Sequence, residues 1–216
     1  MLDSYIRPRI DPSLDTLGKN LLRLGFTANI MTLIGFICGI IAIVAIMCQQ
    51  YTLAAGFIMC NRLADGLDGA IARQSQMSDF GGFIDIVCDF IIYAGVVFAF
   101  GFTHAYHLPY AAFLLFSFIG PTTSFLAYAI IASKRKITTE KRSRKSFYYL
   151  GGLCEGTETA TALILFCLIP DAFNIMAIIF GIMCWLTTSG RIYAAWHTFG
   201  KTPDSGAIIS SVSAYK

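Results

Sequence analysis

The sequence predicts an all-α membrane protein of six transmembrane helices preceded by a short amphipathic interfacial helix. Three observations carry that prediction. Of 216 residues 56% are hydrophobic and 13% charged, and the mean hydropathy is +0.66, too apolar for a soluble domain of this size. Apolar runs near 20 residues long recur at about 27–48, 51–72, 80–103, 109–132, 148–169 and 172–196, each able to cross a hydrocarbon core. The third observation is that Lys and Arg fall on alternate connections. They occupy the N-terminal arm (Arg7, Arg9, Lys19, Arg23), the turn after the second span (Arg73) and the fourth connection (Lys134, Arg135, Lys136, Lys141, Arg142, Arg144, Lys145), while 49–50, 103–108 and 170–171 have none. By the positive-inside rule both termini are cytoplasmic. The modest net charge of +3 hides this asymmetry.

The interfacial helix is expected at about 12–24. Asp11-Pro12 has the form of an N-cap and first helical residue, and Leu14, Leu17, Leu21, Leu22 and Leu24 form a stripe against Asp15, Lys19 and Arg23. Such a helix lies along the inner leaflet and enters the first span through Gly25. The opening MLDSYIRPRI has no apolar core before a small-residue cleavage site, so the first span acts as its own insertion signal. That span opens with polar groups, Thr27-Ala-Asn29-Ile-Met-Thr32. The fourth span contains Gly120-Pro121-Thr122-Thr123-Ser124, a kink whose freed carbonyls Thr and Ser can satisfy. The basic run 134–145 follows, an ordinary positive-inside loop or a contact for an anionic head group. The fifth span opens with Glu155 and Glu158 on one face, which pair with Arg62 or Arg191 or shape a pocket for a polar alcohol. One membrane domain thus covers 1–201, and 202–216 reads as a mobile tail. The seven cysteines lie scattered in apolar sequence as small hydrophobes, and His104 and His107 belong to an interfacial loop.

The second and third spans hold the chemistry. The stretch from Asn61 to Asp89 places Asp65, Asp68, Asp85 and Asp89 inside apolar sequence. The first two are three apart and the last two four apart, so each pair shares a helical face. If 51–73 and 81–103 are antiparallel helices whose faces meet, Asp65 and Asp89 lie level, roughly 12 Å from the turn, and Asp68 and Asp85 lie level about 6–8 Å from it. Four unpaired carboxylates in a bilayer would cost on the order of 10 kcal/mol. Two arginines, Arg62 and Arg73, cannot neutralise four acids, so another cation is required. Oxygen ligands without matching His or Cys suit Mg²⁺, Mn²⁺ or Ca²⁺ better than zinc. Gly66, Gly69, Gly81 and Gly82 allow a backbone or a phosphate to approach closely.

Asp65-x-x-Asp68-Gly69-x-x-Ala72-Arg73, followed by Gly81-x-x-x-Asp85-x-x-x-Asp89, resembles the signature of the CDP-alcohol phosphotransferases, integral-membrane enzymes of phospholipid synthesis. That family usually has eight residues between its Arg and the next Gly, and here there are seven, Gln74 to Phe80, the shortfall falling in the turn. The resemblance implies that Asp65, Asp68 and Asp85 ligate metal, two Mg²⁺ or Mn²⁺ ions in all. It makes Asp89 the general base and a further ligand. Gly69, Ala72 and Gly81 line the nucleotide, and Arg73 holds its phosphates. It implies a homodimer in a bacterial inner membrane with the site on the cytoplasmic side, a CDP-diacylglycerol donor, a polar alcohol acceptor, release of CMP and no nucleic-acid partner. A CDP-alcohol donor with a diacylglycerol acceptor uses the same motif. Glycerol 3-phosphate, serine, inositol phosphate and choline are all acceptors of the right kind. The alternative from another class is a divalent-cation transporter, since acids within spans also build ion pathways.

Overall fold

Apolar stretches become helices because backbone groups away from water must satisfy one another within the segment. The protein's structure, a computed structural model, describes residues 3–75, 78–135 and 152–200. Among the described residues it has seven α-helices: α1 (Asp3–Arg23), α2 (Ala28–Met47), α3 (Tyr51–Gln74), α4 (Asp79–Thr103), α5 (Leu108–Lys134), α6 (Gly156–Leu168) and α7 (Phe173–Phe199). Short 3-10 turns at Ala105–His107 and Pro170–Ala172 join α4 to α5 and α6 to α7. Among the described residues four stretches are long and apolar enough to cross a membrane: Ala28–Met47, Asp79–Thr103, Ala105–Lys134 and Pro170–Phe199. Their outward faces carry large apolar residues such as Ile37, Phe102, Ile119, Ile130 and Leu186, the surface expected of a multi-pass protein in lipid.

Several expectations need correction. The N-terminal helix starts at Asp3, not at Pro12, so Asp11 is no N-cap. The missing Pro12 N–H costs one internal bond, while Leu14, Leu21 and Leu22 pack on a cluster of Met31, Ala64, Leu67 and Ile71 and hold the helix in place. Leu17 and Leu24 remain exposed. The apolar helix expected from 148 begins at Gly156 and has 13 residues. The Gly152 N–H donates to Glu155 Oε1 at 3.1 Å, a local turn that competes with helix. Lastly, the acidic faces of α3 and α4 meet through their side chains and not by close backbone packing. Each helix packs along α2, because small residues let it approach closely. A Cβ at Gly35 would stand 3.1 Å from that of Ala64 on α3, and one at Gly39 would strike Ile92 of α4 at 2.5 Å.

Elsewhere α5 runs along α7, and the crossing is tight enough that a Cβ at Gly120 would collide with Thr188. Pro121 lies inside α5. Thr123 Oγ1 donates to the Ile119 carbonyl at 2.6 Å, and Arg191 Nη1 donates to that of Pro121 at 2.7 Å. Of the two expected partners of Glu155 and Glu158, Arg62 is engaged by Asp89 and Tyr93 of α4, and Arg191 interacts electrostatically with Glu155. His107 is not an interfacial loop residue: it is 2% exposed, bonded through Nδ1 to Asn174 Oδ1 at 2.6 Å and set edge-on to Phe173. All seven cysteines are free, with Cys154, Cys167 and Cys184 buried and Cys48 and Cys60 exposed. The greater part of the basic run (136–145) and the tail 202–216 lie outside the described residues.

Candidate active site

Between α2, α3 and α4 lies a narrow cleft that opens to the surface. Thr32, Gly35 and Phe36 of α2, Asn61, Asp65 and Asp68 of α3, and Asp85, Cys88 and Asp89 of α4 line it. Helical spacing projects Asp65 and Asp68 together from α3 and Asp85 and Asp89 together from α4. Ser78 caps α4, its Oγ accepting from the Gly81 N–H at 2.9 Å, and so fixes where that helix begins and the depth at which its acids emerge.

Three of the four acids converge. Asp65, Asp68 and Asp85 each offer one oxygen, and these atoms all lie within 4.8 Å of one another. Asp68 is the deepest, 6% exposed, and Thr32 Oγ1 donates to its Oδ2 at 2.7 Å. A hydroxyl donor on one oxygen fixes the carboxyl plane and leaves the other oxygen for a ligand. The donor set is oxygen only, compact and crowded with like charge. Those properties fit a hard divalent ion such as Mg²⁺ or Mn²⁺, which takes several oxygens at 2.0–2.2 Å.

Asp89, the expected base, stands apart with Arg62. Arg62 Nη2 donates to Asp89 Oδ1 at 2.5 Å and Nη1 to Oδ2 at 3.3 Å, while Tyr93 Oη donates to Oδ2 at 3.0 Å. Arg62 also lies 3.5 Å from Asp65 Oδ2. Tyr93 and Asn61 are site residues that the motif omits, and spacing could have found Tyr93. It is four residues past Asp89 and on the same helical face.

The expected donor-binding residues Gly69, Ala72, Arg73 and Gly81 are not among those that line the cleft. Gly69 has only Arg73 Nη1 within 4 Å of where a Cβ would stand, so its face is open to a phosphate. A Cβ at Gly81 would strike Asn29 Oδ1 and Ser78 Oγ, both at 2.8 Å, so here glycine serves the approach of α2. Gly66 instead makes room for Leu14 of α1. Ala72 is half-buried. Arg73 is exposed and Nη2 binds Asp15 of α1 at 2.7 Å, with Asp11 3.9 Å away.

Comparison with known proteins bears on these features directly. The family model described as CDP-alcohol phosphatidyltransferase matches residues 26–193. The Escherichia coli (strain K12) inner membrane protein YnjF is 44% identical over 92% of this chain and 97% of its own length. The archaetidylinositol phosphate synthase of Pyrococcus horikoshii is 29% identical over 89% of this chain and 95% of its own. In fold the chain is similar to the crystal structure of Mycobacterium tuberculosis phosphatidylinositol phosphate synthase with CDP-DAG bound. The TM-score is 0.68 at 18% identity, over 85% of this chain and 93% of that one. The family match spans α2 through most of α7 and contains the converging aspartates, so the chain belongs to the CDP-alcohol phosphatidyltransferase family of membrane enzymes.

Proposed function

We propose that the protein transfers a phosphatidyl group from CDP-diacylglycerol to a polar alcohol and releases CMP. The observation that carries this reading is the convergence of Asp65, Asp68 and Asp85 from two helices onto one cleft, within a chain of this family. Phosphorylated inositol is the leading acceptor, because two similar proteins are named as inositol phosphate synthases.

In this mechanism Asp65, Asp68 and Asp85 would hold Mg²⁺ or Mn²⁺, two ions in all. When bound, such ions neutralise charge developing on a pyrophosphate under attack. Thr32 keeps the Asp68 carboxyl in place through its 2.7 Å hydrogen bond. Gly69 admits the donor's phosphates to the α3 backbone, with Ala72 and Gly81 beside the nucleotide, and Arg73 exchanges Asp15 for a phosphate oxygen. Asp89 takes the proton from the acceptor hydroxyl as its oxygen bonds to the phosphorus that carries diacylglycerol. The bond from that phosphorus to the oxygen of CMP breaks, and CMP leaves with the electron pair.

Six spans complete the topology, α3 and α6 joining the four long apolar stretches. Asp65 and Asp68 of α3 line the cleft, and Arg62 reaches Asp89 across it. Both termini and the site lie on the cytoplasmic side of a bacterial inner membrane, α1 lies along the inner leaflet, and the protein works as a homodimer. Membership of an enzyme family leaves the transporter alternative without support.

The test is a mass-spectrometric product screen. Purified protein in detergent is mixed with CDP-diacylglycerol, Mg²⁺ or Mn²⁺ and a panel of inositol phosphate, glycerol 3-phosphate, serine and choline. One phospholipid product with an equivalent of CMP supports the reading. Product formed only from a soluble CDP-alcohol and diacylglycerol reverses donor and acceptor. Sidedness is checked by an impermeant thiol reagent, which should label a cysteine placed at 101–108 from outside and not one at Thr138 or Ser143. The opposite labelling puts the site on the wrong face for cytosolic nucleotide.

A further inference from the structure

We infer that α1 is a latch on the donor site: Asp15 and Asp11 occupy the place of a donor phosphate at Arg73, so that docking of α1 and binding of a pyrophosphate oppose each other. The inference rests on reading Arg73 as the residue that holds the donor's phosphates.

The latch joins two helices through one guanidinium. Arg73 Nη2 donates to Asp15 Oδ1 at 2.7 Å, and Asp11 Oδ1 stands 3.9 Å from the same nitrogen. Next along α3, Gln74 Nε2 donates to the Asp15 carbonyl at 2.8 Å, so the two helices are tied at one level. Arg73 Nη1 lies 3.6 Å from where a Cβ of Gly69 would stand. Gly69 directly follows Asp68, so the guanidinium that α1 holds reaches back to the neighbour of a cluster carboxylate. A carboxylate offers the arginine fork two oxygens, as a phosphate does. Asp15 therefore fills the position that an anionic ligand of Arg73 needs.

Relative strength decides which partner wins. Arg73 is 43% exposed, Asp15 45% and Asp11 38%, and an ion pair so open to water shifts an equilibrium by only a few-fold. A pyrophosphate brings more charge and more acceptor oxygens to the same fork, and so displaces the carboxylates. What then holds α1 is apolar. Leu14, Leu21 and Leu22 pack on the cluster of Met31, Ala64, Leu67 and Ile71, and a Cβ at Gly18 would stand 3.0 Å from that of Ala70. Before Leu14 the helix is weaker, since Pro8 and Pro12 lie within it and supply no N–H to its ladder. Thr16 Oγ1 also donates to the Pro12 carbonyl at 2.9 Å. Opening the latch thus loosens the N-terminal half of α1 and leaves the C-terminal half seated. The coupling is reciprocal: whatever affinity Arg73 has for α1 is subtracted from its affinity for a phosphate ligand.

The experiment measures binding of CDP, which carries the donor's pyrophosphate without its lipid, to the purified full chain in detergent with Mn²⁺ by isothermal titration calorimetry. Wild type is compared with Asp11→Asn/Asp15→Asn, with Arg73→Gln and with the triple variant. The double variant should bind CDP about two- to fivefold more tightly than wild type. In the Arg73→Gln background the same two substitutions should change affinity by less than about 1.5-fold, because the effect passes through Arg73. Hydrogen exchange followed by mass spectrometry supplies the reciprocal reading. CDP should speed amide exchange in the N-terminal half of α1 in wild type and leave it unchanged in the double variant. Unchanged or weaker CDP binding by the double variant, or an equal gain with and without Arg73, overturns the latch. Slower exchange in α1 of wild type when CDP binds also overturns it. Should the double variant not fold, Asp15→Asn alone decides by the same comparisons. Wild-type protein that binds CDP but releases no CMP from any donor defeats the proposed reaction, and the CDP affinities still decide the latch.

Discussion

The two ends of α3 solve opposite problems. At its N-terminal end space is filled: Tyr51 stacks on Phe100 at 5.6 Å, Phe100 stacks on Phe173 at 4.7 Å, and Phe166 meets both rings edge-on at 6.1 and 5.3 Å. Phe100, Phe166 and Phe173 are essentially inaccessible, and each contributes apolar burial and ring contacts. Toward the C-terminal end the filling stops and a cleft edged by carboxylates remains. There no large side chain closes the gap, and order comes from directed bonds, those of Thr32 to Asp68 and of Arg62 to Asp89. The aromatic end sets the helix positions, and the polar end uses that rigidity to hold charges that would otherwise repel.

If that division is right, substitutions at the two ends should fail in different ways. The largest effect is expected for Asp89→Asn. The amide keeps the shape but cannot take a proton, so turnover should fall by about 10²–10⁴ with donor binding kept and no recovery from added metal. Rescue by metal as complete as that of a ligand variant would make Asp89 another ligand. Asp68→Asn comes next. Its carbonyl can still accept from Thr32, yet one ligand charge is gone, so CMP release should drop about 10–100-fold at low metal and recover in part as Mn²⁺ is raised.

Phe100→Ala should cost about 3–5 kcal/mol of stability, read by thermal or denaturant unfolding in detergent. The Mn²⁺ affinity of the fraction that remains folded should be unchanged. A loss of metal affinity without a loss of stability would erase the distinction between the two ends. The smallest effect belongs to the rim. Asp15→Asn removes an exposed partner of Arg73 and should shift stability by less than about 1 kcal/mol, while KM for the donor should hold steady or fall as Arg73 is released.

Much of this was legible in the sequence, and the parts that were not share a cause. The helices, the outward apolar faces and the clustering of acids follow from periodicity and spacing, which are local. The partner of Arg62 is not local. Spacing places Arg62 on the face of Asp65, and Asp89 on the face of Tyr93, but which faces meet depends on how α3 and α4 each pack along α2. That packing turns on Gly35 and Gly39 having no side chain opposite Ala64 and Ile92, a match between distant positions that no single window contains. The start of α1 was hidden because Asp11-Pro12 is a sound local N-cap pattern, yet the helix runs through it from Asp3. The acids were found because a charge in hydrocarbon has few bland explanations.

The most direct test of the proposed metal centre at Asp65, Asp68 and Asp85 follows CMP release from CDP-diacylglycerol and the acceptor panel as divalent ions are removed and restored. The account predicts that a chelator abolishes release, that Mg²⁺ or Mn²⁺ restores it in wild type, and that Asp68→Asn needs markedly more metal to reach half of its own maximum. Full turnover after exhaustive chelation, or an unchanged metal requirement in Asp68→Asn, would contradict it.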